Sequence, residues 1–287
     1  MKKILALLLV LCGLGIMNGA NPVPAPAPTV PDDEEDPYYL LCDEASRRIA
    51  AGDYESAAAR LIEAISIHPT FEGNVLLLSN LGMVYSCLDR DSLAIATFDK
   101  ALAQAPGQKT VLNNRARVLI KMGRDSEAFR DFATILQSDS INLDARFYHG
   151  TIALYSGDLA TAEADFGVLR RLAPESTSTA EALATLYSMT GRDLEAVPYL
   201  KRLIALDPSA EYYATLAGCY IAADYLAEAS DIISRGLEKY PHDPELYYYR
   251  ARMKREQFLF DEAAKDLDKA VEYGLSPTKA RQLMGKK

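Results

Sequence analysis

Histidine and cysteine are scarce in this chain of 287 residues, which contains three histidines and four cysteines. His68, His149 and His242 are widely separated, and no HExxH or paired CxxC spacing suggests a zinc site. No glycine-rich phosphate loop is indicated either, because no strand is predicted that such a loop would follow. We therefore predict no metal, no cofactor and no catalytic residue, and we do not expect an enzyme.

Basic residues are in the minority, with 31 Lys and Arg against 40 Asp and Glu, which gives a formal net charge of -9 at pH 7. Binding of nucleic acid requires a basic surface that neutralises phosphates, so the composition argues against a nucleic-acid partner. A hydrophobic content of 49% with 25% charged residues is typical of a globular protein that buries a sizeable core.

One long hydrophobic run occurs near the N-terminus, from Ile4 to Met17, and it is short for a membrane span. Two lysines precede the run and the sequence Asn-Gly-Ala follows it, which is typical of an export signal. We predict a signal peptide at residues 1–20 with cleavage after Ala20. The mature chain is expected to be exported, periplasmic or secreted, without a transmembrane helix.

Cys12 offers an alternative, since a lipidated cysteine would associate the chain with a membrane. Leu11 before it is a poor match to the small residue that lipoprotein processing sites prefer, so the signal peptide is the favoured interpretation. The cysteines that remain after cleavage form an odd, widely spaced set that favours small buried thiols over a disulfide framework. They are Cys42, Cys87 and Cys219.

Residues 21–37 read NPVPAPAPTVPDDEEDP, with alternating prolines followed by an acidic run from Asp32 to Asp36. Alternating prolines favour an extended polyproline conformation, and runs of like charge are usually solvated. We predict a disordered spacer over this segment.

The stretch from Leu78 to Pro106 has apolar residues at helical spacing on either side of Asp89, which predicts two amphipathic helices. Neither helix could bury its apolar face alone. The pattern recurs about every 34 residues, which predicts a repeat protein. The predicted units lie near 38–71, 75–108, 109–142, 143–176, 177–209, 210–243 and 244–277.

Three columns of residues define the repeat. The second helices share an alanine: Ala57, Ala94, Ala128, Ala162, Ala196, Ala229 and Ala263. The first helices carry a small residue: Ala45, Gly82, Ala116, Gly150, Ala184, Ala217 and Ala251. A large apolar residue follows the alanine: Leu61, Phe98, Phe132, Phe166, Leu200, Ile233 and Leu267. Small residues flanked by large ones predict a tight helix hairpin.

Turn and stop signals separate the predicted helices. The turn glycines are Gly52, Gly123, Gly157 and Gly191, and the stop prolines are Pro69, Pro106, Pro174, Pro208 and Pro241. Pro198 lies inside the second helix of the fifth unit, where it is expected to remove one helical hydrogen bond or to bend the helix. A short capping helix and basic tail are predicted at 278–287, with Ser276 as the cap, Pro277 at the first helical position, and Ala280, Leu283 and Met284 as the apolar side.

At these positions the sequence resembles the tetratricopeptide repeat (TPR) family, over about residues 38–277. The resemblance implies an all-α fold, a right-handed superhelical solenoid of about seven helix-turn-helix units with a concave binding groove. Together with the predicted signal peptide, it indicates an exported TPR protein of the bacterial type.

In TPR proteins the groove is lined mainly by the first helix of each unit, so the residues of these helices that differ between units are candidates for partner binding. The candidates are Asn80, Asn113, Asn114, Arg117, Phe147, Tyr148, Tyr155, Tyr248, Tyr249 and Arg252, with Lys121 adding to a locally basic section. Amides could bond a peptide backbone, and aromatic and arginine side chains are typical binding anchors. Tyrosines in helical repeats also pack against the next unit, and Asn80 and Asn114 could equally satisfy groups between helices.

The clamp with which chaperone-binding TPR proteins hold a C-terminal carboxylate is not indicated here. Its matching lysine sites hold Cys42 or Ser79 and Thr110 or Asp144. We expect a scaffold or adaptor in the cell envelope that binds peptide segments of a protein partner in the groove. The alternative is a glycan-binding or outer-membrane assembly accessory protein, which would use the same aromatic residues to stack on sugars.

Overall fold

A computed structural model describes residues 36–285, and this part of the chain folds into α-helices without a strand. The predicted signal peptide, Cys12, all but the last two residues of the spacer, and residues 286–287 lie outside the described residues. The helices are α1 Pro37–Ala50, α2 Tyr54–Ile67, α3 Asn74–Cys87, α4 Asp91–Gln104, α5 Lys109–Lys121, α6 Asp125–Ser138, α7 Leu143–Ser156, α8 Leu159–Leu172, α9 Thr177–Met189, α10 Asp193–Leu206, α11 Ala210–Ala222, α12 Leu226–Lys239, α13 Pro244–Glu256, α14 Phe260–Glu272 and α15 Pro277–Gly285.

The helices form antiparallel pairs, and two compact units divide the chain, one up to Thr161 and one from Ala162. In the first unit, helices that are consecutive in the chain pack against each other from α1 to α7, and in the second unit they do so from α9 to α15. The all-α fold class predicted from the sequence is confirmed.

The three predicted columns form the core. All seven alanines of the second helices are 0% exposed, and the first-helix small residues and the large apolar residues are buried as well. Small side chains let paired helix backbones approach closely, and the large side chain fills the space beside the contact. In α3, a Cβ atom on Gly82 would lie 2.5 Å from Cε1 of Phe98. The predicted packing role of these columns is thus confirmed.

A residue in the left-handed conformation ends the first helix of every pair. Gly52, Gly123, Gly157 and Gly191 have φ between 71° and 89°, as expected for turn glycines. Asp89, Asp224 and Phe258 occupy the same position in the other pairs, with φ of 56°, 63° and 62°. A left-handed residue with a side chain costs about 1–2 kcal/mol, so these three turns are strained.

The predicted helix stops are also confirmed. The helices that precede the stop prolines end two residues before each of them, as α4 does at Gln104 before Pro106. Helix α1 begins at Pro37, and the side chain of Asp36 accepts a hydrogen bond from the backbone N–H of Tyr38 at 2.9 Å. The last two residues assigned to the spacer therefore start the first helix.

Helix α10 runs from Asp193 to Leu206 through Pro198, its sixth residue. Because proline has no N–H group, the carbonyl of Leu194, four residues earlier, lacks its helical donor. The helix continues through Pro198 to Leu206, so this missing donor does not end it.

The C-terminal helix α15 begins at Pro277, and Ala280 and Leu283 are buried as expected. Met284 is 45% exposed, so its assignment to the apolar side was wrong, because the inward face of this short helix ends at Leu283. Lys279 binds both carboxylate oxygens of Glu245 at 2.6 and 2.5 Å and ties the helix to α13.

The described cysteines are free thiols. Cys42 and Cys219 are buried as predicted, whereas Cys87 is exposed because it is the last residue of α3 and lies beyond Val84, the last buried residue of that helix. Among the described helices, none is both long and apolar enough to cross a membrane.

Candidate partner-binding surface

In the first compact unit, the candidate residues lie on α3, α5 and α7, the first helices of three consecutive pairs. Asn80, Asn114 and Tyr148 are 34 residues apart and occupy the same register position on these helices. Asn113 and Phe147 share the preceding position, and all five side chains are partly buried. Similar positions on successive first helices thus present amides first and aromatic rings later.

The amides make different contacts. Asn114 donates a hydrogen bond from Nδ2 to Oγ of Ser79 at 3.1 Å, which links α5 to α3. Asn80 and Asn113 make no side-chain hydrogen bond to any residue between 36 and 285. Asn114 therefore has a structural bond, while the other two amides keep their donors and acceptors for solvent or a ligand.

Arg117 is partly buried and lies over the ring of Tyr148, with 5.8 Å between the guanidinium carbon and the ring centroid. Tyr148 in turn stacks on the fully buried ring of Phe132 at 5.3 Å and contacts Phe147 edge-on at 5.1 Å. Arg117 has no ion pair with any described residue. Its neighbour Arg115, by contrast, is bound to Asp99 and Asp131.

Lys121 does not contribute a free charge to this surface. Its Nζ donates to Asp89 at 2.9 Å, to Asp91 at 3.1 Å and to the carbonyl of Ser86 at 3.1 Å. The predicted locally basic section therefore depends on Arg117 alone. Tyr155, one turn of α7 beyond Thr151, is partly buried.

In the second compact unit, Tyr248, Tyr249 and Arg252 lie on α13 and are partly buried. Burial raises the pKa of Tyr249 to about 12. Its Cε1 would lie 2.9 Å from a Cβ atom on Gly218, so the missing side chain of this glycine on α11 makes room for the ring. Nζ of Lys279 lies 4.5 Å from the ring centroid of Tyr248. Both tyrosines therefore contribute to packing within the unit.

Within the second unit, the sequence interpretation missed a group of acidic side chains on the first helices α9 and α11. Tyr212 donates a hydrogen bond to Oε1 of Glu181 at 2.9 Å. Burial raises the pKa of Glu181 and of Glu211, and the charge of Glu181 raises that of Glu211 further. Neither carboxylate has an ion pair within the described part of the chain. The sequence could have indicated Glu181 as a candidate, because it occupies the same register position as Phe147 and Tyr248.

The surface contains groups suited to recognition and no arrangement suited to metal binding. Within residues 36–285, no group of three or more His, Cys, Asp or Glu side chains could hold a metal ion. The first unit presents a guanidinium, amides and an aromatic ring, and the second presents two carboxylates and tyrosines. Each set could hold an oppositely charged side chain of a peptide.

Comparison with family models identifies tetratricopeptide repeats at residues 77–110 and 147–211. The human tetratricopeptide repeat protein 13 is 30% identical over 161 residues, which cover 54% of this chain and 19% of that protein. The chain spans less than half the length of the curated relatives it matches, since it covers 19% of the human protein and 46% of a second relative.

Two solved structures have the same fold. A tetratricopeptide repeat protein from Parabacteroides merdae matches with a TM-score of 0.66 and 24% identity, over 86% of this chain and 97% of that chain. YrrB, described as a TPR protein with an unusual peptide-binding site, matches with a TM-score of 0.54 and 20% identity, over 66% of this chain and 98% of that chain. Residues 77–110 and 147–211 thus match tetratricopeptide repeats, and the chain has the fold of TPR proteins, a group of proteins that serve as protein–protein interaction scaffolds and are generally non-catalytic.

Proposed function

We propose that this protein is a non-enzymatic scaffold or adaptor that binds peptide segments of a protein partner on the surface of its first helices. The observation that carries this proposal is Arg117, a partly buried guanidinium without an ion-pair partner among the described residues. Keeping a charge away from water is unfavourable unless another group compensates it. A carboxylate of a bound peptide would provide that compensation.

The neighbours of Arg117 favour a peptide as the ligand. The ring of Tyr148 lies beside the guanidinium and orients it, and a planar guanidinium binds a carboxylate through two parallel hydrogen bonds. The free amides of Asn80 and Asn113 each offer two donors and an acceptor, which match the backbone of an extended segment. The site would therefore read one acidic side chain and hold the backbone around it.

The acidic part of the second unit supports a partner of mixed charge. Glu181 and Glu211 would bind Lys or Arg side chains, since a cation would offset the burial and the charge of Glu181 that together raise the pKa of Glu211. YrrB has a similar fold and is described as having an unusual peptide-binding site, which also supports peptide recognition.

The N-terminal sequence supports a location in the cell envelope. The two lysines, the run from Ile4 to Met17 and the sequence Asn-Gly-Ala that ends at Ala20 are typical of an export signal. N-terminal sequencing of the mature protein from fractionated cells would test this location. A new terminus at Asn21 in the periplasm or medium would support it, and an intact Met1 in the cytoplasm would contradict it.

The partner site can be tested with peptides selected from a displayed random library on the purified protein. We expect ligands enriched in Asp and Glu, and we expect Arg117→Glu to weaken their binding about tenfold or more by fluorescence anisotropy. Arg130→Glu is the matched control, because Arg130 is exposed on α6 and away from the first-helix surface. Equal affinities of the two variants would contradict the assignment of the site.

A further inference from the structure

A groove lies in the second compact unit, between α10 and α12 and above α11. We call it the α10–α12 groove. It has a volume of about 660 Å³, within the range typical of ligand sites. Its floor is formed by Tyr213, Leu216 and Tyr220 of α11, with Ile204 and Ile232 at the foot of its walls. None of the candidate residues on the first-helix surface lines it.

The equivalent position in the first unit, between α4 and α6 and above α5, is nearly closed. Its volume is about 170 Å³. Arg115 crosses it and binds Asp131 at 2.6 and 2.9 Å and Asp99 at 2.7 Å. In the last helix pair, Arg250 and Asp266 form the same ion pair. An arginine and an aspartate therefore fill this position in two of the described pairs.

In the α10–α12 groove the ion pair is replaced by apolar residues. By repeat register, Leu216 stands in place of Arg115, Ile232 in place of Asp131, and Lys201 in place of Asp99. Leu216 is fully buried and Ile232 nearly so, and neither side chain reaches across the groove as Arg115 does, so the groove between the two walls stays open. The floor also becomes apolar, which favours an apolar ligand surface.

The charges on the α12 wall change along the helix. Glu228 and Asp231 lie at its N-terminal part, and Arg235 and Lys239 follow at intervals of one turn on the same face. Asp231 and Arg235 are 3.5 Å apart, whereas Lys239 has no ion pair with any described residue. The wall is therefore acidic at one end and basic at the other.

We propose that the α10–α12 groove binds an amphipathic helix from a protein partner. The stretch from Ala227 to Lys239 is about 18 Å long, which matches about three turns of a bound helix. Apolar residues at i, i+3 or i+4 and i+7 would rest on the floor. Acidic residues at one end of the ligand would meet Arg235 and Lys239, and basic residues at its other end would meet Glu228 and Asp231. This site is separate from the proposed peptide surface on the first helices and does not depend on it.

The proposal can be tested with a fluorescent helical peptide of about 15 residues. The peptide has leucines on one face, glutamates at one end and lysines at the other, and a second peptide has the same composition with leucines distributed around the helix. Anisotropy with the wild-type protein should show binding of the first peptide and much weaker binding of the second. Absence of binding by the first peptide would overturn the proposal.

The decisive variant combines Leu216→Arg with Ile232→Asp, which rebuilds the ion pair that this fold accepts at Arg115 and Asp131. It should weaken binding about tenfold or more while the helical circular dichroism signal is kept. The double change Arg235→Glu and Lys239→Glu alters only exposed charges and should also weaken binding. Lys265→Glu, an exposed change on α14, is the control and should bind like the wild type. Unchanged affinity in both double variants would refute the groove as the site.

Discussion

Gly82→Ala tests the packing that defines the repeat. Gly82 lies in the interior of α3, and an added Cβ atom would lie 2.5, 2.7 and 2.8 Å from three ring carbons of Phe98. Real Cβ atoms essentially never lie within 3.0 Å of a carbon atom of another side chain, so the ring would have to move. Phe98 is fully buried, and its neighbours in the core leave it little space.

Two opposing effects determine how much Gly82→Ala changes the free energy of unfolding. Alanine is favoured over glycine inside a helix by about 1 kcal/mol, which would stabilise the variant. Overpacking a well-packed core costs about 1–3 kcal/mol, and here the whole cost falls on a buried ring. We expect overpacking to prevail, with a free energy of unfolding lowered by up to about 2 kcal/mol.

Gly167→Ala is the matched control, because Gly167 also lies inside a helix, α8, and a Cβ atom there would meet nothing within 4 Å. This variant should be more stable than the wild type by about 0.5–1 kcal/mol. Urea unfolding followed by far-UV circular dichroism would measure both variants. If Gly82→Ala were stabilised as much as Gly167→Ala, the close contact between Gly82 and Phe98 would be wrong.

Three further predictions follow from single residues. Phe258→Gly should stabilise the protein by about 1 kcal/mol in urea unfolding, because Phe258 is 79% exposed and has a left-handed φ of 62°; a loss of stability would contradict turn strain. Gly218→Ala should displace Tyr249 and lower its pKa from about 12 towards 10, the value of an exposed tyrosine, in an ultraviolet titration; an unchanged titration would show that the ring does not rest on this glycine. Burial opposes ionisation of Asp266, but hydrogen bonds from Arg250 and Lys254 outweigh it and lower its pKa. Its ionised form thus adds stability above about pH 4 that is lost as pH falls through the folded-state pKa. Asp266→Asn should therefore be less stable than the wild type at pH 7, with a difference that shrinks below about pH 4; a difference independent of pH would exclude this linkage.

The sequence was sufficient to predict the fold because the requirement for close helix approach recurs in every pair. A small residue such as Ala94 or Ala196 is needed wherever two helix backbones approach closely, so the register of the repeat can be determined from the sequence alone. The left-handed turn at Gly52 or Gly123 is equally local, since it depends on one residue's backbone.

The candidate surface was less predictable because its properties depend on contacts between pairs. Tyr249 is deeply placed since Gly218, on the preceding pair, leaves room for its ring. Lys121 does not provide the free positive charge that was expected, because Asp89 and Asp91 bind its ammonium group. Both aspartates follow the first helix of the preceding pair. Neither contact follows from helical periodicity, which describes one helix at a time.

The ion pair of Arg115 and Asp131 occupies register positions that the buried columns of small and large residues do not use. Exchange of this pair for Leu and Ile, as at Leu216 and Ile232, accompanies an open apolar groove while Ala217, Ala229 and Ile233 remain buried beside it. Two substitutions in one helix pair can therefore change what that pair offers to a ligand without changing the residues that hold its helices together. A chain of such pairs could acquire or lose binding sites one pair at a time.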